Sequence, residues 1–432
     1  MTKEYTIVYC RFSKANERRV IMRRKWILRI ATAVCAIWLI TSGSALAEKP
    51  ILIGCPLPLT GPYASDGEQM KMALELAVAE KNAAGGLLGR KLELKFGDVG
   101  GLEAEKIKAV GERLIGAGVD AVITGYDDGG VDTKVFGAYD VPYLHGNAMT
   151  LCTQPVAENP DKYWNVFQYT YNDKAYGVDA DKYLFGVGEQ MGWKAPNKKI
   201  AIIKVDYAYN IVPAEEFARL AKGRGYDVVV NETVPFGMAE WGPILSKIES
   251  RNPAYVTFWH LDPTDAARFM QQFVDHFEDD GLNALVYMQY TPSIPEFIKL
   301  AGDAANGLIW VGGAFGFGKK FEAYKKRWMA MFKTEPAGLY AEATRDAFDM
   351  YAAAVEKAGC VDCYRKVAEN IRAIEYEGLA ANYKFDPRDQ SILQTDDYMP
   401  LVWFQIQGGK NIKLRPPKYN EGGRYKLPPW IK

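Results

Sequence analysis

"ILIGCPLPLTGPYASDGEQMKMALELAVAEKNAAGGLLGRKLELKFGD" (residues 51–98) holds the pattern that decides the fold. An apolar run opens it, too short for a helix and rich in Ile and Leu, and reads as a strand. The next twenty residues place Met70, Leu74, Ala77 and Val78 on one helical face, and Gly85–Gly86 stop the helix. "KLELKFGD" then alternates as a second strand. Strand, helix, strand in under fifty residues is the unit from which parallel sheets are built.

The unit recurs. "EAEKIKAVGERLIGAG", "VDAVITG", "VDTKVFGAYD" and "VPYLHG" continue it to about residue 146. A joining segment, "YWNVFQYTYNDKAYG", carries no such unit. The rhythm resumes with "KKIAIIKVD", "AEEFARLAKGRG", "YDVVVNETVPF", "GPILSKIESRN", "AYVTFWH", "TDAARFMQQFVDHF" and "NALVYMQY". The expected fold is α/β, with two doubly wound lobes of similar construction. Right-handed crossovers put every strand's C-terminal end on one edge of its sheet, and open sheets bind ligands outside that edge. Two such edges facing one another make a cleft.

The residues following the strands suit a cleft. They are Thr60, Gly61, Pro62, Tyr63 and Asp66; Tyr126, Asp127 and Asp128; His145, Asn147, Ala148 and Met149; Asp206, Tyr207 and Tyr209; Trp259, His260 and Asp262; and Gln289 and Tyr290. From these the predicted ligand contacts are Tyr63, Asp66, Tyr126, Asp127, Asp128, Asn147, Ala148, Met149, Tyr209, Trp259, His260, Gln289 and Tyr290. Each has a plainer reading. Asp127 and Asp128 precede two glycines and suit a turn or a helix cap. Tyr209 and Trp259 suit a lobe interior, and His145 and His260 are lone histidines of the kind that serve structure.

The chain's start reads as a leader. From Met22 a basic head (Arg23, Arg24, Lys25, Arg29) precedes an apolar stretch and "SALA", the layout of a secretory signal peptide cleaved after Ala47. The apolar stretch is about half of what a membrane span needs. Arg23–Arg24 leaves twin-Arg export open beside the general route. Without the leader the net charge is about −7, and no basic patch for nucleic acid stands out. Four cysteines remain: Cys55 and Cys152, expected to be packed singly, and the C-x-x-C pair Cys360 and Cys363. The pair suits a local disulfide in an exported chain, with free thiols or redox or metal chemistry as alternatives.

Enzyme signatures are missing. "GAFGFGKK" (313–320) nearly fits a phosphate-binding loop but ends in Lys320, so the hydroxyl that would hold Mg²⁺ is absent. There is no G-x-S-x-G elbow and no H-E-x-x-H zinc pair. The glycines of "NAAGGLLGRK" close a helix instead of opening one, the reverse of a dinucleotide site. No cofactor is expected.

The opening stretch resembles the start of mature periplasmic solute-binding proteins of the leucine/isoleucine/valine-binding family, type I binding proteins that serve ABC importers. "VDAVIT", "VPYLHGNAM", "KKIAIIKVDYAYN", "PAYVTFWHLDPTDAARFMQQ" and "AIEYEGLAANYKFDP" extend the resemblance to about residue 407. It implies two lobes joined by crossovers near residues 168, 313 and 390. Lobe 1 would be 48–168 with 314–390, and lobe 2 would be 169–313 with 391–432, ending in a C-terminal strap. It further implies a monomer in the periplasm that is not an enzyme, binds a small solute and docks on importer membrane subunits. A sensor reporting to a membrane receptor would need the same trap.

Carried over residue by residue, the family's pocket fits in part. Its carboxylate-gripping hydroxyl falls at Asp128 or Asp127. Ala148 keeps a backbone contact, Met149 replaces a Thr, and Tyr209 matches a family tyrosine. A second aromatic falls near Trp259 to Leu261. The acidic partner of a ligand ammonium falls at Gln289 or Tyr290, neither of them acidic. An ionised Asp about 4 Å from a ligand carboxylate would be repelled by roughly 4 kcal/mol at an effective dielectric near 20. An Asp that points away, or one protonated by burial, still admits an amino acid; an Asp facing the ligand calls for a neutral or cationic solute, an amide, urea-like or amine compound.

Overall fold

β1 (Ile51–Leu57) begins a five-stranded parallel sheet with β2 (Leu92–Asp98), β3 (Ala121–Thr124), β4 (Tyr143–His145) and β5 (Val166–Gln168), in the order β2-β1-β3-β4-β5. The computed structural model describes residues 49–432 except 127, 128, 314, 315 and 338. The proposed leader lies outside these. Helix Ala64–Ala83 follows β1 and is sandwiched against helix Tyr340–Ala358, with Glu80 paired to both Arg327 and Arg345. Its Ala, Leu, Met, Glu and Lys content favours helix, and Met70, Ala73, Leu74 and Ala77 are its buried face.

A second sheet holds β6 (Lys199–Val205), β7 (Asp227–Val234), β8 (Tyr255–Trp259), β9 (Leu285–Gln289) and β10 (Ile309–Gly312). After a small separate hairpin, β11 (Glu375–Glu377) and β12 (Asn382–Lys384), the chain returns to add β13 (Val402–Gln407) and β14 (Lys410–Arg415). The order is β14-β13-β10-β9-β8-β6-β7. β8, β9 and β10 are buried along their whole length, as parallel strands covered on both faces must be.

Alternation of strand and helix predicts a purely parallel sheet, but β13 runs antiparallel to β10 and β14 antiparallel to β13. Their turn is Gly408–Gly409, both at positive φ (57° and 70°), a backbone that a two-residue hairpin requires and glycine supplies. The tail beyond is a strap fixed to the second sheet. Trp430 is buried, its indole N–H donates to the Ala284 carbonyl at 2.9 Å, and the Leu282 N–H donates to the Trp430 carbonyl.

The chain leaves the first sheet after β5 for the second, leaves the second after β10, and rejoins it at β13. Two of these passages are hydrogen-bonded to each other. The Gln168 N–H donates to the Gln390 carbonyl at 3.0 Å and the Ile392 N–H to the Gln168 carbonyl at 2.9 Å. The Gln390 side chain also donates to the carbonyls of Tyr163 and Val166. Cys360 and Cys363 form a disulfide, while Cys55 and Cys152 are buried without one. No helix among the described residues is long and apolar enough to cross a membrane.

Candidate functional site

Parallel strands of both sheets end near one cavity. Leu102 follows β2, Tyr126 follows β3, and Asn147, Ala148 and Met149 follow β4. From the other lobe come Tyr207 and Tyr209 after β6, Leu261 after β8 and Tyr290 after β9. Tyr340, at the start of helix Tyr340–Ala358, completes a cavity lined by these ten residues. The space between them is about 40 Å³, room for roughly two or three waters. Two lining residues hold backbone conformations rare for side-chain-bearing residues: Leu102 at φ 71° and Tyr290 at φ 48°, ψ −51°.

Asp66 stands behind this wall. It sits in the first turn of helix Ala64–Ala83, where the helix dipole favours a carboxylate. Its Oδ2 accepts from the Tyr126 hydroxyl at 2.9 Å and from the Tyr290 hydroxyl at 2.7 Å. Burial nevertheless pushes its pKa up to about 6; the two phenols pull it down and the charge of Glu296 raises it further. The bond to Tyr290 joins the lobes. Two other contacts do the same: the Ser65 hydroxyl donates to Glu296 Oε2 at 2.5 Å, and the Tyr207 hydroxyl lies 3.9 Å from Met149 Sδ.

Aromatic packing organises the walls. Tyr126 meets Tyr340 edge-on, with ring centres 4.9 Å apart and planes at 69°; Tyr209 meets Tyr290 at 6.1 Å and 89°. The Tyr209 hydroxyl donates to that of Tyr176 at 2.9 Å. Asn147 is held from behind, its Nδ2 donating to Asp132 Oδ2 at 2.7 Å; the Tyr143 hydroxyl donates to the same oxygen. Gly146 permits this crowding, since a Cβ there would come within 2.1 Å of the Gly125 carbonyl oxygen.

Of the residues singled out in the sequence, Tyr126, Asn147, Ala148, Met149, Tyr209 and Tyr290 line the cavity. Tyr63 and Asp66 do not; both are buried one layer back, Tyr63 edge-on to Tyr126. Trp259 lies in the second lobe's core, its indole N–H donating to Thr257 Oγ1 and its ring against Phe217 and Tyr287. Its side chain takes the inward direction of a strand covered on both faces.

His260 is also interior. Its Nδ1 accepts from the Asp262 N–H, its ring stacks on Phe258, and burial lowers its pKa to about 3. His145 is equally buried and lowered to about 3. Gln289 braces the first turn of helix Ala208–Gly223, donating to the Tyr209 carbonyl and accepting from Asn210 Nδ2. Asp127 and Asp128 lie outside the described residues. Asp132, His145 and Cys152 bring ligand-type atoms within 4.8 Å of one another, all buried. Asp132 already accepts from Gly130, Tyr143 and Asn147 there.

Leu102, Tyr207, Leu261 and Tyr340 complete the cavity without having been predicted as contacts. Tyr207 and Leu261 adjoin predicted strand-end positions. Tyr340 is about two hundred residues from its neighbour Tyr126, and only the return of the chain to the first lobe brings it in.

The chain matches the family model described as periplasmic binding protein over residues 50–409. It is similar to the Leu/Ile/Val-binding protein BraC3 of Rhizobium johnstonii, 28% identical over 331 residues, covering 76% of this chain and 84% of the relative. It is 24% identical over 372 residues to the leucine-, isoleucine-, valine-, threonine- and alanine-binding protein of Pseudomonas aeruginosa, covering 85% and 94%. A crystal structure from Silicibacter pomeroyi, assigned to branched-chain amino acid ABC transport, superposes with a TM-score of 0.79 at 30% identity, covering 88% of this chain and all of that one.

Proposed function

The chain belongs to the periplasmic binding protein family, and on that premise we propose that it captures a small organic solute between its lobes and delivers it to the membrane subunits of an ABC importer. The carrying observation is the cavity lined from both lobes by strand-end residues. The relatives' names support the importer assignment. Periplasmic placement accords with the family, with residues 1–47 as the cleaved leader. Lobe 1 is 48–168 with 314–390; lobe 2 is 169–313 with 391–432.

Capture proceeds by hinge motion. With about 40 Å³ between the walls, a solute enters only when the lobes part. Parting breaks Asp66–Tyr290 and Ser65–Glu296; closing remakes them and removes water from the solute. Each polar group of the solute then needs a placed partner, and the residues at the wall include Tyr126, Asn147, Ala148, Met149, Tyr209 and Tyr290. A solute of the amide, urea or amine class suits a cavity whose described lining residues carry no charge.

Mass spectrometry of solute released on denaturing the purified protein, with small-angle scattering before and after solute is restored, tests the reading. A released compound that compacts the protein is the expected result. Absence of both a bound compound and compaction across a solute screen would sink it.

A further inference from the structure

We propose that the cavity is a cage for a small alkylated ammonium cation, with the Asp66 carboxylate as its counter-charge behind the wall. The inference rests on the solute-capture reading and names the solute class. Half of the lining is tyrosine: Tyr126, Tyr207, Tyr209, Tyr290 and Tyr340. Among the described lining residues none is cationic and none anionic. The edge-on pairs Tyr126–Tyr340 and Tyr209–Tyr290, with planes at 69° and 89°, come one from each lobe, so closure brings two aromatic corners around one space. Aromatic faces carry negative potential and attract a cation, most strongly when water is excluded.

Asp66 adds to that potential without entering the cavity. The phenols of Tyr126 and Tyr290 both donate to its Oδ2. A phenol hydrogen-bonded to a carboxylate is polarised, its ring becoming richer in electrons. An alkylated nitrogen suits this lining because it keeps its charge while needing few or no hydrogen-bond acceptors. A ligand carboxylate would meet electron-rich rings and the charge of Asp66, with no cation among the described lining residues to offset them. The small volume limits the ligand to a few non-hydrogen atoms or to the head of a longer one.

Calorimetry on the refolded, solute-free protein above pH 7 tests this with tetramethylammonium, with tert-butanol (equal in non-hydrogen atoms but neutral) and with leucine. Tetramethylammonium is expected to bind roughly 30-fold or more tighter than tert-butanol. Asp66→Asn should weaken tetramethylammonium at least about tenfold more than tert-butanol. Should that variant not fold, Tyr340→Leu should give the same selective loss by removing a wall. Equal binding of the two probes, or binding of leucine alone, overturns the cage. Leucine binding with compaction leaves solute capture standing, whereas no compaction with any solute removes both.

Discussion

The Tyr290 hydroxyl donates to Asp66 Oδ2 across the cleft at 2.7 Å. The donor comes from the loop after β9 and the acceptor from the first helix of the other lobe, so one bond both closes the cleft and fixes a wall of the cavity. Tyr290 reaches it from a backbone conformation (φ 48°, ψ −51°) of the kind that costs about 1–3 kcal/mol and is retained where surrounding structure enforces it.

Tyr290→Phe keeps the ring and deletes the bond. A hydrogen bond to a charged group contributes about 1.5–3 kcal/mol, so solute affinity should fall about tenfold or more. The solute-free protein should expand in small-angle scattering. An unchanged radius of gyration with unchanged affinity would mean that the bond does not hold the lobes.

Asp66 should make cation binding pH-dependent. Burial raises its pKa to about 6, against the two phenols and with Glu296 adding to the rise. A bound cation favours the ionised form. Affinity for tetramethylammonium should therefore be flat above pH 7 and fall as pH drops through 6, levelling toward the value of the Asp66→Asn variant. Asp66→Asn should remove that dependence, measured by calorimetry from pH 5 to 8.

Glu342 should make the folded state less stable in mild alkali. Its carboxyl is buried, Oε2 has no hydrogen-bond partner, and burial raises its pKa from 4.5 to about 8. Between those values the folded chain holds a proton that the unfolded chain has released. This contribution is greatest at low pH and declines as pH rises from 4.5 through 8. Asp346, pushed up to about 7, acts in the same direction. The urea midpoint should be lower at pH 8.5 than at 6.5, and Glu342→Gln should raise stability at pH 8.5 by about 1–3 kcal/mol.

Trp259 separates core from site. Trp259→Ala should cost about 3–5 kcal/mol in urea unfolding, while the folded fraction keeps its solute affinity within about threefold. A large affinity loss with little destabilisation would place the indole at the ligand instead.

Periodicity made most of the parallel strands legible, because β3, β8 and β9 are short, apolar and bounded by turn residues. It did not reveal β5, only three residues long within an aromatic-rich joining segment. Nor did it reveal the β13–β14 hairpin, whose edge position depends on a long return of the chain. In the site, position after a strand was enough to find Tyr126, Asn147 and Tyr290. It was not enough to tell Tyr209 from Trp259, since which side of the backbone a side chain takes is decided by packing. Tyr340 follows no strand, and its place in the wall comes from tertiary contact alone.

The pairing of Gln168 with the segment at Gln390 and Ser391 gives the molecule the mechanics of a door. Two passages bonded at one bridge should bend together and resist shear, so opening is expected to approach rotation about a single axis. Any fixed point on one lobe then sweeps an arc relative to the other, and one interlobe distance measures the whole motion. A single pair of spectroscopic labels, one per lobe, is enough to turn this protein into a gauge of its own solute.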